Sequence, residues 1–227
     1  MTKIFFITGT DTDVGKTIVS CALLKQANSK YGYNTIGYKP IATNVHYNKL
    51  NNDISLLLHY SSIKLKRSII NPFSFKECTS PNIASNIEKI KINLDKISSN
   101  LNIIANLANF VIIEGAGGWL TPINDDLNYS DWVINKQLPV IMVVKIKLGC
   151  INHSLLTNLA IKIQKLNLIG WVANCISDIP FMMEYIDIIK RKLSAPLIGI
   201  IPKITSKKQN KPNIASNFLN NTKTIML

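Results

Sequence analysis

The apolar run Lys3-Ile4-Phe5-Phe6-Ile7-Thr8 leads directly into Gly9-Thr10-Asp11-Thr12-Asp13-Val14-Gly15-Lys16-Thr17, and residues 16–30 read as a helix. A short strand without a polar face has to be covered from both sides, and a glycine-bounded loop that opens a helix is the first half of a β–α–β unit. The same punctuation recurs along the chain. Further strands are predicted over 35–38, 110–113, 140–144, 168–173 and 197–201, and further helices over 90–108, 153–166 and 181–193. Leu155, Leu159, Ile163 and Leu166 keep a three-to-four spacing, which predicts one apolar face turned to the core. The expected fold is α/β, a mostly parallel central sheet flanked by helices, in a single domain over 1–227. Residues 44–66 and 203–227 are rich in Asn, Lys and Ser. The tail is expected to be irregular and at the surface, with one short helix around 213–219.

Composition narrows the class. Hydrophobic residues make up 47% of the 227 positions and charged residues 17%, which supplies a core and excludes a disordered chain. Cys21, Cys78, Cys150 and Cys175 are far apart, without metal-ligand spacing, so neither a disulfide scaffold nor a zinc module is expected. Apolar stretches such as 140–144 fall far short of the roughly 20 residues of a membrane span. The N-terminal apolar run is too short for a signal peptide. The expectation is a soluble protein of the reducing cytoplasm, with no membrane partner. A net charge of +13 invites a polyanion, but only Arg67 and Arg191 among the 26 basic residues are arginines. Lysine, asparagine and isoleucine are raised together, the mark of A/T-rich codons. Base and phosphate recognition favours arginine, so no nucleic-acid partner is expected.

In parallel sheets ligands gather at the carboxyl ends of the strands, so the residues after each strand carry the chemistry. Gly15, Lys16 and Thr17 supply free backbone N–H groups at a helix start, a lysine for phosphates and a hydroxyl for Mg²⁺. The loop is one residue longer than G-x-x-x-x-G-K-[ST], because Thr10 stands where that spacing wants glycine. Phe110-Val111-Ile112-Ile113-Glu114 ends a second apolar strand in an acid, followed by Gly115-Ala116-Gly117-Gly118-Trp119. Beside a phosphate loop, Glu114 reads as a magnesium ligand. Lys39, after Gly37-Tyr38, is either a solvated lysine or a second cation on a transferring phosphate. Asp53 is either a helix N-cap or a metal carboxylate. Asn174 either caps a turn or reads an adenine edge. His46, His59 and His153 stand alone, and nothing near Cys150 activates a thiolate.

Together with Thr79-Ser80-Pro81, Lys147-Leu148-Gly149-Cys150-Ile151-Asn152-His153 and Gly170-Trp171-Val172-Ala173-Asn174, these segments make the chain resemble the dethiobiotin synthetases nearly end to end. The longer phosphate loop is that family's version. The resemblance implies a P-loop NTPase-like fold and an ATP- and Mg²⁺-dependent ligase of biotin synthesis. Its substrates would be 7,8-diaminononanoate and CO₂, joined through a carbamate and a carbamic-phosphoric anhydride. It further implies that Lys16 and Lys39 stabilise the transferring phosphate, and that Thr17, Asp53 and Glu114 hold Mg²⁺. ATP contacts would come from Asp13, Val14, Gly15, Lys16, Thr17, Glu114, Asn174 and Pro202. Thr12 and Thr43 would lie at the diamine, Thr43 standing where serine is common. Gly149, Cys150, Ile151 and Asn152 would receive the substrate carboxylate of a partner subunit, making a homodimer with shared sites. Asp13 departs from the family's usual glutamate, which re-spaces any contact of the longer side chain. Two other outcomes are weighed: a ParA/MinD-like ATPase switch, which typically carries a further lysine where Thr10 and Asp11 stand, and another P-loop ligase, which should lack the Gly149 segment.

Overall fold

The computed structural model describes residues 2–45 and 52–226; His46 lies outside them. Along the chain run β1 (Lys3–Gly9), α1 (Lys16–Tyr31), β2 (Thr35–Tyr38), β3 (Ile41–Ala42), α2 (Asn52–Tyr60), α3 (Arg67–Ile70) and β4 (Phe73–Ser74). Then come α4 (Pro81–Glu88), α5 (Leu94–Leu107), β5 (Phe110–Glu114), α6 (Tyr129–Asn135), β6 (Val140–Lys145) and α7 (Cys150–Ile163). The remainder is β7 (Leu168–Asn174), α8 (Met182–Lys192), β8 (Leu197–Ile201), α9 (Lys211–Ala215) between two 3₁₀ turns, and α10 (Lys223–Met226).

Six strands form one sheet in the order β2-β5-β1-β6-β7-β8, and every neighbouring pair is parallel. Successive side chains point to opposite faces of a strand, so one strand feeds two cores. Phe5 and Ile7 of β1 pack with Val19, Leu23 and Leu24 of α1, whereas Phe6 packs with Ile97, Leu101 and Ile104 of α5 and Trp132 of α6. Beyond β6, Met142, Val144 and Trp171 meet Cys150 of α7 and Ile186 and Ile189 of α8. The expected mostly parallel sheet flanked by helices is the one observed. β3 and β4 add a separate two-stranded parallel pair that leads Thr43 toward the sheet's carboxyl edge.

Three expectations are corrected. The helix predicted over 90–108 is shorter, α5 over Leu94–Leu107, and a separate, unpredicted α4 ends at Glu88 before it. Lys89 at φ 53° stops α4, and the Asn93 side chain accepts the Lys96 N–H at 2.9 Å to start α5. The helix predicted over 153–166 starts at Cys150, with Gly149 at φ 87° before it, and ends at Ile163. Its leucine face is divided: Leu159 is 51% and Ile163 70% exposed, whereas Leu155 is half-buried against the core and Leu166, past the helix end, is buried, while Cys150, Ser154 and Ile161 face the interior. Small side chains let α7 dock closely on the sheet, and the Ser154 hydroxyl is satisfied by the Cys150 carbonyl at 2.7 Å. The tail is no surface loop. Its helix spans Lys211–Ala215, and Ala215, Leu219, Ile225 and Met226 are buried in the core that α1 lines.

Candidate active site

β1, β2 and β5 are neighbours in the sheet, and all three end at the same edge. Gly9 to Thr17 follows β1, Lys39 follows β2 and Glu114 ends β5. They open on a cavity of about 550 Å³ lined by Thr12, Asp13, Gly15, Lys16, Thr17, Lys39, Thr43, Asp53 and Glu114, with Lys208 from the tail. Nine residues expected at the site are thus brought together from four segments. Gly149, Cys150, Ile151, Asn152, Asn174 and Pro202 do not line this cavity, and Val14 is fully buried.

The loop is held by backbone and side-chain bonds to the neighbouring strands. Thr10 N–H donates to the Val143 carbonyl at 3.1 Å, and Asn174 Nδ2 donates to the Val14 carbonyl at 2.8 Å. Asn174 therefore braces the loop, a role that neither reading of it included. It also explains Gly15, which has φ 95° and where a Cβ would lie 2.0 Å from Asn174 Nδ2. α1 begins at Lys16 without a side-chain cap or an acid in its first turn, so its leading N–H groups and the helix dipole face the cavity. Asp11 turns away from the cavity toward Lys147, 3.0 Å away, and that lysine holds its carboxyl below the usual range.

Two lysines with the same side chain are set up differently. Lys16 Nζ donates to the carbonyls of Gly117 (2.6 Å) and Asp11 (3.1 Å), with no carboxylate in contact. Burial lowers it to about 8, opposed in part by the field of Glu114. Lys39 is buried as well, but it bridges Asp53 Oδ2 at 2.9 Å and Glu114 Oε1 at 2.8 Å. Burial pulls its ammonium down, and the two carboxylates outweigh that and raise it above the usual lysine value. The solvated reading of Lys39 is excluded. Asp53 sits inside the first turn of α2, and its two oxygens are met by Lys39 and by Lys208 (3.3 Å). Burial pushes its carboxyl up, and Lys39 and Lys208 more than reverse this, to about 2.

Glu114 Oε1 also accepts the Thr17 hydroxyl at 2.7 Å, while Oε2 is buried with no hydrogen-bonding partner among the described residues. A buried anionic oxygen of that kind asks for a cation or a water. With the Thr17 hydroxyl and the Asp53 carboxylate on the same cavity, the donors are all oxygen and suit a hard divalent ion. Among the described residues no three His, Cys, Asp or Glu side chains gather into a metal cage. Phosphate oxygens and water would complete the shell, as magnesium prefers.

Sequence reasoning missed Lys208, Asn44, Cys78 and the Gly117 carbonyl. Asn44, Cys78 and Lys208 line the cavity, and the carbonyl holds Lys16. Asn44, Cys78 and Lys208 follow no main-sheet strand, whereas Gly117 stands in the glycine-rich turn after β5, and Lys208 is 155 residues from its partner Asp53, so spacing carried no signal for it.

A phosphate loop at the central strand, with a lysine and an acid at the ends of two adjacent strands, defines a P-loop nucleotide-dependent protein. Solved structures agree on the fold: the MinD cell division protein in complex with MinC of Aquifex aeolicus (TM-score 0.58, 14% identity, covering 99% of this chain and 93% of that one) and a ParA family ATPase of Chlorobium tepidum TLS (TM-score 0.58, 14% identity, 99% and 96%). A family model described as an AAA domain matches residues 3–211. Similar in sequence are the ATP-dependent dethiobiotin synthetase BioD of Yersinia pestis bv. Antiqua (strain Angola), 48% identical, covering 92% of this chain and 89% of that protein, and that of Baumannia cicadellinicola, 47% identical (89% and 91%). The BioD 1 protein of Escherichia coli K12 is 44% identical (92% and 95%). The chain belongs to the dethiobiotin synthetase family.

Proposed function

We propose that this chain is the ATP- and Mg²⁺-dependent ligase that closes 7,8-diaminononanoate and CO₂ into dethiobiotin, releasing ADP and phosphate. The observation that carries this reading is the convergence of Lys16, Thr17, Lys39, Asp53 and Glu114 on one cavity, in a chain of this family. One amine of the substrate takes up CO₂ as a carbamate, the terminal phosphoryl group of ATP passes to the carbamate oxygen, and the second amine displaces phosphate to close the cyclic urea. Phosphoryl transfer asks a protein for position and charge rather than covalent help. The α1 N-terminus and Lys16, whose Nζ contacts only carbonyls, bind the phosphates. Lys39, on the same cavity and paired with Asp53 and Glu114, neutralises charge on the group in transit. Thr17, Asp53 and Glu114 would hold Mg²⁺, which supplies Lewis-acid polarisation of the phosphates. Asp13 and Gly15 line the phosphate path with the backbone of buried Val14 between them, Thr12 and Thr43 face the diamine, and Asn174 and Pro202 serve the nucleoside.

The reading extends to a homodimer. Gly149, Cys150, Ile151 and Asn152 lie off the cavity of their own chain, at the start of a helix whose exposed face carries Leu156, Leu159 and Ile163. A second copy docked there offers this segment to the neighbouring site. Residues 1–227 act as one ligase domain in this reading. The four free thiols suit the reducing cytoplasm, and among the described residues no helix is long and apolar enough to cross a membrane.

The test is product formation followed by mass spectrometry, with Mg-ATP, 7,8-diaminononanoate and ¹³C-bicarbonate, each omitted in turn. Labelled dethiobiotin that requires every component is expected. ATP hydrolysis that ignores the diamine and yields no labelled product would overturn the proposal in favour of a nucleotide switch.

A further inference from the structure

The C-terminal segment reaches the cavity at one point. Of the tail lysines Lys203, Lys207, Lys208 and Lys211, Lys208 lines it, presenting its ammonium 3.3 Å from Asp53 Oδ1, opposite the oxygen that Lys39 holds. Lys203 instead pairs with Asp178, away from the cavity, at 2.7 Å. The tail that carries Lys208 is anchored at the residues that follow it. Tyr60 Oη donates to the Gln209 carbonyl at 2.8 Å, Gln26 Nε2 donates to the carbonyls of Ser216 (3.2 Å) and Leu219 (2.9 Å), and Tyr33 Oη donates to Met226 at 2.6 Å. The Lys208 side chain, by contrast, is 48% exposed, so its pairing with Asp53 is the weak kind that water screens.

We propose that Lys208 is a nucleotide-binding residue of this site, a third ammonium for the polyphosphate delivered by the tail. Without nucleotide, the ammoniums of Lys16, Lys39 and Lys208 face the carboxylates of Asp13, Asp53 and Glu114 across one cavity. A triphosphate adds several negative charges to that balance. Lys16 and Lys39 are buried and held in place, whereas Lys208 has a flexible stem, an open path and a partner it can leave at little cost. On binding, its ammonium exchanges Asp53 for a phosphate oxygen and gains a stronger charge-assisted bond, while Asp53 is freed of one competitor. This inference rests on the ATP-dependent reading above.

Isothermal titration of ATP, together with steady-state kinetics, tests it in Lys208→Ala, Lys208→Arg and the tail control Lys203→Ala. Lys208→Ala should weaken ATP binding and raise the KM for ATP about tenfold, with kcat at saturating ATP and the KM for the diamine within about twofold. Lys208→Arg should restore most of the loss, and Lys203→Ala should match the unaltered protein. An unaltered protein that binds ATP and makes dethiobiotin, beside a Lys208→Ala variant of equal ATP affinity, overturns this inference alone. Loss of affinity for both substrates with a lowered melting temperature and no rescue by arginine also overturns it, marking Lys208 as a strut. Failure of the unaltered protein to bind ATP removes the ligase reading itself.

Discussion

Lys16 and Lys39 show how one residue type is given two jobs by its neighbours. A lysine surrounded by carbonyls and buried is a cation short of an anion, and it will bind one when offered. Lys16→Ala should therefore cost a hundredfold or more in kcat, an order of magnitude taken from the loss of one transition-state donor. The pH dependence follows from its value of about 8 in the ligand-free site. A bound phosphate favours the protonated form, so ATP affinity should be flat up to pH 7 and fall as pH rises through 8 to 9.5. Titrations across that range check the slope, which Lys16→Ala should abolish. Stability moves the other way. With the folded value below the ordinary 10.5, the unfolded chain binds more protons between the two, and Lys16 adds stability to the ligand-free fold as pH climbs through that window. Lys39, raised by its two carboxylates, stays charged throughout and contributes no slope there.

At the scale of elements, α7 is the part whose pattern and packing disagree. Its spacing of leucines predicts a core-facing helix, yet the face that meets the sheet is made of Cys150, Ser154 and Ile161. An amphipathic period says that one side is apolar and does not say what covers it. If a second copy does, Leu159→Glu or Ile163→Glu should leave the monomer folded and shift sedimentation from dimer to monomer, because both side chains are exposed in the single chain. A variant that still sediments as a dimer would move the interface elsewhere. The strands were legible for a related reason. Runs such as Val140–Lys145 are apolar on both faces, which a two-sided sheet requires and little else tolerates. Lys16 and Thr17 were legible because a phosphate loop is local, and Lys39 and Glu114 because each directly follows or ends a strand. α2, α4 and the buried tail were not, because Asn-, Ser- and Lys-rich segments owe their conformation to distant contacts such as Gln26 with Leu219. Lys208 belongs to that group. Its role is set by where the tail packs, which no spacing records.

For the whole molecule, the proposed shared site makes a prediction that no single chain can satisfy. Lys16→Ala and Asn152→Ala protomers should each be nearly inactive. Once exchanged into mixed dimers at equal amounts they should recover about a quarter of full activity, since half the dimers then hold one intact site. Verified mixed dimers without recovery would place the Gly149 to Asn152 segment outside the neighbour's site. The sheet order has a consequence for how such a molecule is made. No two strands adjacent in the main sheet's left half are adjacent in the chain: β1 lies between β5 and β6, and β2 pairs only with β5. Once made, β1 must wait for more than a hundred further residues before either neighbour exists. The phosphate loop behind it has no strand to brace it in that interval, and Val14 has no Asn174 until later still. Long-range parallel pairing is slow and leaves apolar strands uncovered meanwhile. Nascent chains arrested before β5 should therefore be substrates for chaperones, and the capacity to hold a nucleotide should emerge late in synthesis and in one step.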